Sequence, residues 1–136
     1  MLRNMCKGKI HRATVTEARL DYVGSITLDS LLMKAANIEP QEIVQITSLR
    51  NATRWITYAI AAPEGSGKVC LNGPPALLFE PGDLIIVLSM GLFNEEELIH
   101  LRPQVVYVDG TNRIENVEEL DLTIQRQDRN LEHHSE

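Results

Sequence analysis

The chain has 136 residues, 43% of them hydrophobic and 24% charged, which suits one domain with a sizeable core. Its formal net charge of -6, without any basic stripe, argues against nucleic acid as a partner, because neutralising phosphates takes clustered Lys and Arg. No apolar run approaches the length of a membrane span or signal peptide, and Cys6 and Cys70 lack CxxC spacing, so the expectation is a cytoplasmic protein with reduced thiols.

Strand-forming residues fill "KGKIHRATVTE", Lys7 to Glu17, and a second strand is expected at Gly24 to Leu28, where Ile26 and Leu28 alternate with polar residues. "DSLLMKAANI" predicts a short helix capped by Asp29 or Ser30, with Leu31, Leu32 and Ala35 buried. Two strands, Glu42 to Ser48 and Arg54 to Ala62, flank a connection short enough for a hairpin. In the second of these, Trp55, Thr57, Ala59 and Ala61 share one face, while Arg54, Ile56, Tyr58 and Ile60 share the other. Arg54 and Tyr58 are therefore expected to converge on one pocket.

Pro63 to Lys68 reads as a mobile loop, "VCL" as a brief strand, and "NGPPALLF" as a turn entering about one helical turn. Leu84 to Met90 is the most apolar run and predicts a central strand, followed by a capped acidic helix, "NEEELIHL", and a strand, "VVYVDG". Many short strands with two small helices predict a mainly β barrel spanning residues 1–115. Residues 116–136 are expected to form a charged, flexible tail, in which His133 and His134 are solvated rather than metal-bound.

Conventional sites fail one by one. "EGSGKV" lacks the first glycine of a phosphate loop and a Ser or Thr after Lys68, and Ser25 lacks the Gly-x-Ser-x-Gly frame of a hydrolase. Cys6, His11 and Cys70 have no metal-ligand spacing, so no metal is expected. What remains is a basic, hydroxyl-rich set: Lys9, His11, Tyr22, Ser25, Arg54, Thr57, Tyr58 and Asn72. Within it, Gly24-Ser25 sets a hydroxyl beside the carbonyl of a permissive residue, the makings of an intramolecular nucleophile.

The order "GKIHRATVT", "YVGS", "RWITYAIAA", "NGPPA" closely resembles the bacterial aspartate 1-decarboxylases, over roughly Met1 to Tyr107. The resemblance implies a double-psi β-barrel assembled as a homotetramer with sites between subunits, and self-cleavage between Gly24 and Ser25 into chains 1–24 and 25–136, with a maturation factor as an optional helper. It further implies that Ser25 becomes a covalent pyruvoyl cofactor, in place of pyridoxal phosphate, which forms a Schiff base with L-aspartate and yields β-alanine for pantothenate biosynthesis. By the same resemblance, Thr57 is the donor for processing and a substrate contact, and Tyr58 is the proton donor. Lys9, Arg54, Thr57, Asn72, Gly73, Pro74 and Pro75 bind substrate, supported by His11 and Tyr22. Where the family has small alanines after Asn-Gly, this chain has Pro74-Pro75, which offer no N–H groups. Two rival readings stand beside this one: a pyruvoyl decarboxylase of another acidic amino acid, and a non-enzymatic barrel that binds a partner and never cleaves.

Overall fold

A computed structural model of the protein describes residues 1–126. Among the described residues, nine strands carry the fold: β1 (Arg3–Thr14), β2 (Glu17–Arg19), β3 (Ser25–Asp29), β4 (Ile43–Ser48), β5 (Arg54–Ala62), β6 (Val69–Asn72), β7 (Leu84–Phe93), β8 (Gln104–Val108) and β9 (Ile114–Glu119). Helix α1 (Ser30–Ala35) follows β3, a 3-10 turn (Pro74–Leu77) follows β6, and α2 (Glu95–His100) follows β7. No helix among the described residues is long and apolar enough to cross a membrane.

Neighbouring strands run β2-β6-β3-β5-β4-β7-β1-β8-β9. Because β2 continues β1 after only Val15 and Thr16, and pairs with β6, the sheet returns on itself and closes. Thr16 makes the seam, its N–H donating to the Val69 carbonyl at 2.8 Å. Parallel β2·β6 and β3·β5 pairs stand among antiparallel ones, an arrangement that agrees with the double-psi barrel. Ile10 and Ala13 from β1 and Val15 from the link to β2 pack in one core with Ile26, Leu28, Ile46, Leu71, Phe79, Ile85 and Val87. Gly8 in β1 is fixed by close approach, since a Cβ there would lie 1.7 Å from the Ala36 carbonyl oxygen.

Asp29 settles both the cap of α1 and the fate of the next loop. Its carboxylate accepts from the N–H groups of Leu31 (2.9 Å), Gly65 (3.1 Å) and Gly67 (2.9 Å). The expected mobile loop, Pro63 to Lys68, is thus fastened to β3 through a buried charge that backbone donors satisfy. Asn112 fastens it from the other side, donating to the carbonyls of Thr14 and Gly67, both at 2.8 Å. In α1 it is Leu32 and Met33 that are buried, while Leu31 is exposed, so the expected face is rotated by one residue.

Residues 116–119, expected in the tail, belong to β9, which pairs antiparallel with β8, and residues 122–126 are helical. Every residue of β9 is exposed, so ladder pairing and not burial defines it. His133 and His134 lie outside the described residues.

Candidate active site

Ser25 is the first residue of β3 and is buried. Its Oγ donates to the Val23 carbonyl at 3.1 Å and accepts from Asn72 Nδ2 at 3.0 Å. The same Nδ2 donates to Thr27 Oγ1 at 2.9 Å, while Asn72 Oδ1 accepts from the Cys70 thiol at 3.2 Å. These groups line a cavity of about 200 Å³ with Arg19, Tyr22, Val23, Ile60 and Lys68. Burial pushes the Cys70 thiol above its ordinary pKa, which keeps its proton on sulfur.

The Gly24-Ser25 bond is held from the β6 side by Gly73, whose φ of 76° is open to glycine at no steric cost. A Cβ at Gly73 would lie 2.8 Å from Gly24 Cα and 2.9 Å from the Tyr22 carbonyl oxygen, so no larger residue fits against the bond. The N–H of Gly73 donates to the Arg19 carbonyl at 2.8 Å, tying the end of β6 to the segment that leads into Gly24. Pro74 and Pro75 then open the 3-10 turn, where missing N–H groups leave no internal bond unmade. Tyr22 is exposed and stacks under Arg19, whose guanidinium is 5.1 Å from the ring centroid and donates to the Tyr22 hydroxyl at 2.8 Å.

Thr57 and Tyr58 lie on β5, the parallel neighbour of β3, in the register Ile26↔Ala59. Continued backwards, that register sets Ser25 level with Tyr58 and Gly24 level with Thr57. Thr57 is buried, whereas Tyr58 is half-buried on the face that gives Ile60 to the Ser25 cavity. Arg54 shares that face of β5 and is exposed at its start, and neither Arg54 nor Tyr58 is among the residues that line the Ser25 cavity.

Lys9 and His11 sit on β1 beside β7 and β8, on another wall of the barrel. His11 meets Tyr107 edge to face, with centroids 5.6 Å apart, in a separate cavity of about 360 Å³ shared with Arg12, Asp109 and Glu115. Burial, and then the charges of Lys9 and Arg12, lower its pKa and favour the neutral ring. A single chain therefore assembles Gly24, Ser25, Tyr22, Asn72, Gly73 and Pro74, and leaves Lys9, His11 and Arg54 outside. The sequence reading missed Arg19, Thr27, Ile60, Lys68 and Cys70. Period-two spacing was the available signal for two of them, since Thr27 follows Ser25 by two residues and Cys70 precedes Asn72 by two. No group of three or more His, Cys, Asp or Glu able to hold a metal occurs among the described residues.

Residues 1–115 match the family model described as aspartate decarboxylase. An aspartate 1-decarboxylase of Acetivibrio thermocellus is 53% identical over 117 residues, covering 86% of this chain and 93% of the relative. Aspartate 1-decarboxylase 2 of Gloeobacter violaceus is 56% identical over 117 residues, 86% of this chain and 94% of its own. The corresponding enzyme of Neisseria meningitidis is 50% identical, covering 86% and 92%. A closed mixed barrel, a Gly-Ser junction whose serine is buried and a match that runs from residue 1 through β8 agree: the chain belongs to the aspartate decarboxylase family.

Proposed function

We propose that this protein cleaves itself between Gly24 and Ser25 and then decarboxylates L-aspartate to β-alanine and carbon dioxide, as a cytoplasmic homotetramer with sites between subunits. The observation that carries this reading is the Ser25 hydroxyl, buried at the mouth of β3, pinned by Asn72, beside a peptide bond against which Gly73 packs without a side chain. Such a residue fits as the source of a pyruvoyl group.

In maturation, Ser25 Oγ bonds to the Gly24 carbonyl carbon, the C–N bond breaks, and the hydroxyl proton ends on the Ser25 nitrogen. The amide becomes an ester. Thr57, level with Gly24, is the donor assigned to the oxyanion of this step, a role whose removal typically costs about 2.7–4 kcal/mol. Loss of the Ser25 Cα proton then expels the Gly24 carboxylate with segment 1–24, and hydrolysis of the resulting dehydroalanine releases ammonia. The pyruvoyl group supplies a ketone that captures an amine and a carbonyl that accepts the electron pair freed with carbon dioxide.

The side chains of this protein do the rest. Tyr58 delivers the proton to the former α-carbon, and Arg54 and Lys9 hold the two carboxylates of the substrate. Both cations lie outside the Ser25 cavity of their own chain, which supports a role toward a neighbouring subunit. Ile56, 63% exposed between Arg54 and Tyr58, and Ile43, 60% exposed opposite Tyr58, supply apolar surface for such an interface.

Denaturing mass spectrometry tests this reading directly. Purified protein is expected to resolve into chains 1–24 and 25–136, with only the larger labelled by a carbonyl-reactive hydrazide. Aspartate is expected to release carbon dioxide faster than glutamate or cysteine sulfinate; inert aspartate beside a fast competitor would transfer the activity to that acid, with Pro74-Pro75 as the reshaped wall. A chain that stays whole and unlabelled, even when coexpressed with candidate maturation factors, would leave the partner-binding barrel. Arg54→Ala should mature and raise KM for aspartate by about ten- to a hundredfold, the worth of hydrogen bonds to a charged group. An unchanged KM would reduce Arg54 to a solvated cation.

A further inference from the structure

We infer that Cys70 and Thr27 are positioning residues for cleavage of the Gly24-Ser25 bond, acting through Asn72; the inference rests on Ser25 being the residue that cleaves. Antiparallel pairing of β3 with β6 sets Ser25 opposite Asn72 and Thr27 opposite Cys70. All four line one cavity, a two-by-two patch on one face of the ladder.

The asymmetry of the Asn72 amide is what matters. An amide has one accepting oxygen and two N–H donors, and its two ends have almost the same shape, so its partners decide which way it points. Ser25 and Thr27 hydroxyls can each donate or accept, and by themselves they would satisfy either orientation. Cys70 tips the balance. Its S–H is a weak donor and its sulfur a weak acceptor, and with burial keeping the proton on sulfur the pairing present, S–H to Oδ1, leaves both N–H donors of the amide for oxygen acceptors. Nδ2 then faces both hydroxyls, giving its hydrogens to Ser25 Oγ and Thr27 Oγ1.

The consequence for Ser25 is geometric. With a proton arriving from Asn72 and its own proton given to the Val23 carbonyl, Oγ is held from two sides and kept to one rotamer. A flipped amide would instead draw the Ser25 proton toward Oδ1 and release the Val23 contact. An intramolecular attack depends steeply on such orientation, so partners of Asn72 that never touch the scissile bond influence the rate of its cleavage.

The experiment follows maturation of the full chain by intact mass at fixed temperature, for the wild type, Cys70→Ala, Cys70→Ser, Thr27→Val and Thr27→Ser. Cys70→Ala and Thr27→Val are expected to lengthen the cleavage half-time about five- to tenfold, the size of one neutral hydrogen bond. Thr27→Ser, which restores a hydroxyl, is expected near the wild-type half-time, whereas Cys70→Ser, whose hydroxyl satisfies either orientation of the amide, is expected to stay slower than the wild type, both with unfolding midpoints matching those of the slow variants. Cleavage of Cys70→Ala at the wild-type rate would overturn the inference. So would a Thr27→Ser as slow as Thr27→Val, a Cys70→Ser as fast as the wild type, or slowing that simply tracks a fallen unfolding midpoint. If Cys70→Ala does not fold, the two Thr27 variants decide by the same criteria. A wild-type chain that never cleaves would overturn the reading of Ser25 itself, whereas a cleaving wild type with indifferent variants would overturn only the role of Cys70 and Thr27.

Discussion

Replacing Ser25 by alanine should leave one uncut chain that takes up no hydrazide and releases no carbon dioxide from aspartate. The loss is expected to be complete because the proposal gives Ser25 two uses: its oxygen attacks the Gly24 carbonyl, and its carbon skeleton is the sole source of the new carbonyl. No neighbour takes over, since Thr27 lies two residues along β3 and has no preceding bond packed against Gly73. The barrel should survive, because Asn72 Nδ2 keeps its contact with Thr27 and the exchange removes one buried atom without adding volume. Circular dichroism matching the wild type, with a single mass corresponding to 1–136, is the expected pair of results. A second chain in this variant would assign the nucleophile elsewhere.

Tyr58→Phe should mature at the wild-type rate and then turn over aspartate about 10²–10⁴-fold more slowly, the usual range for a lost general acid. The ring remains, so the outward face of β5 keeps its shape, and only the hydroxyl is missing. Maturation is spared because the assigned oxyanion donor is Thr57, on the buried face of the same strand. On the proposed assignment the two side chains would divide the two reactions between opposite faces of β5. Single-turnover measurements separate the effects: KM near the wild-type value with a depressed kcat supports proton delivery by Tyr58. A fully active variant would remove Tyr58 from that role, and slow maturation would exchange its part with that of Thr57.

Alternation along a strand was legible, and so were the acidic helix α2 with its Asn94 capping box and the strand character of Ser25 to Asp29. Strand neighbours were not. Period-two reading says that Arg54 and Tyr58 share a face, but it does not say that Lys9 stands on β1, separated from β5 by β7 and β4. The loop 63–68 looked free because its anchor, Asp29, is a partner more than thirty residues away in the chain. Strand β9 escaped for the opposite reason: "IENVEE" presents no buried side, so its place depends on hydrogen bonds to β8 that no hydropathy pattern announces. Leu31 misled because an apolar residue in a six-residue helix has few turns in which to declare its face.

The route by which β1 and β2 close the barrel gives the proposed cut a thermodynamic consequence. Both strands and the link between them belong to segment 1–24, and they bring Ile10, Ala13 and Val15, each at most 1% exposed, into the centre of the core. After cleavage, two staves of the barrel would be a separate molecule, retained by ladder bonds to β6, β7 and β8, by apolar packing and by polar contacts such as Lys7 with Glu42 and Thr14 with Asn112, with no covalent link. Unfolding then becomes dissociation, and recovery becomes an encounter between two polypeptides whose yield follows mass action. The uncut precursor can refold as one body at any dilution. The cut form has exchanged that reversibility for a finished site, and its lifetime is set by how slowly the barrel opens.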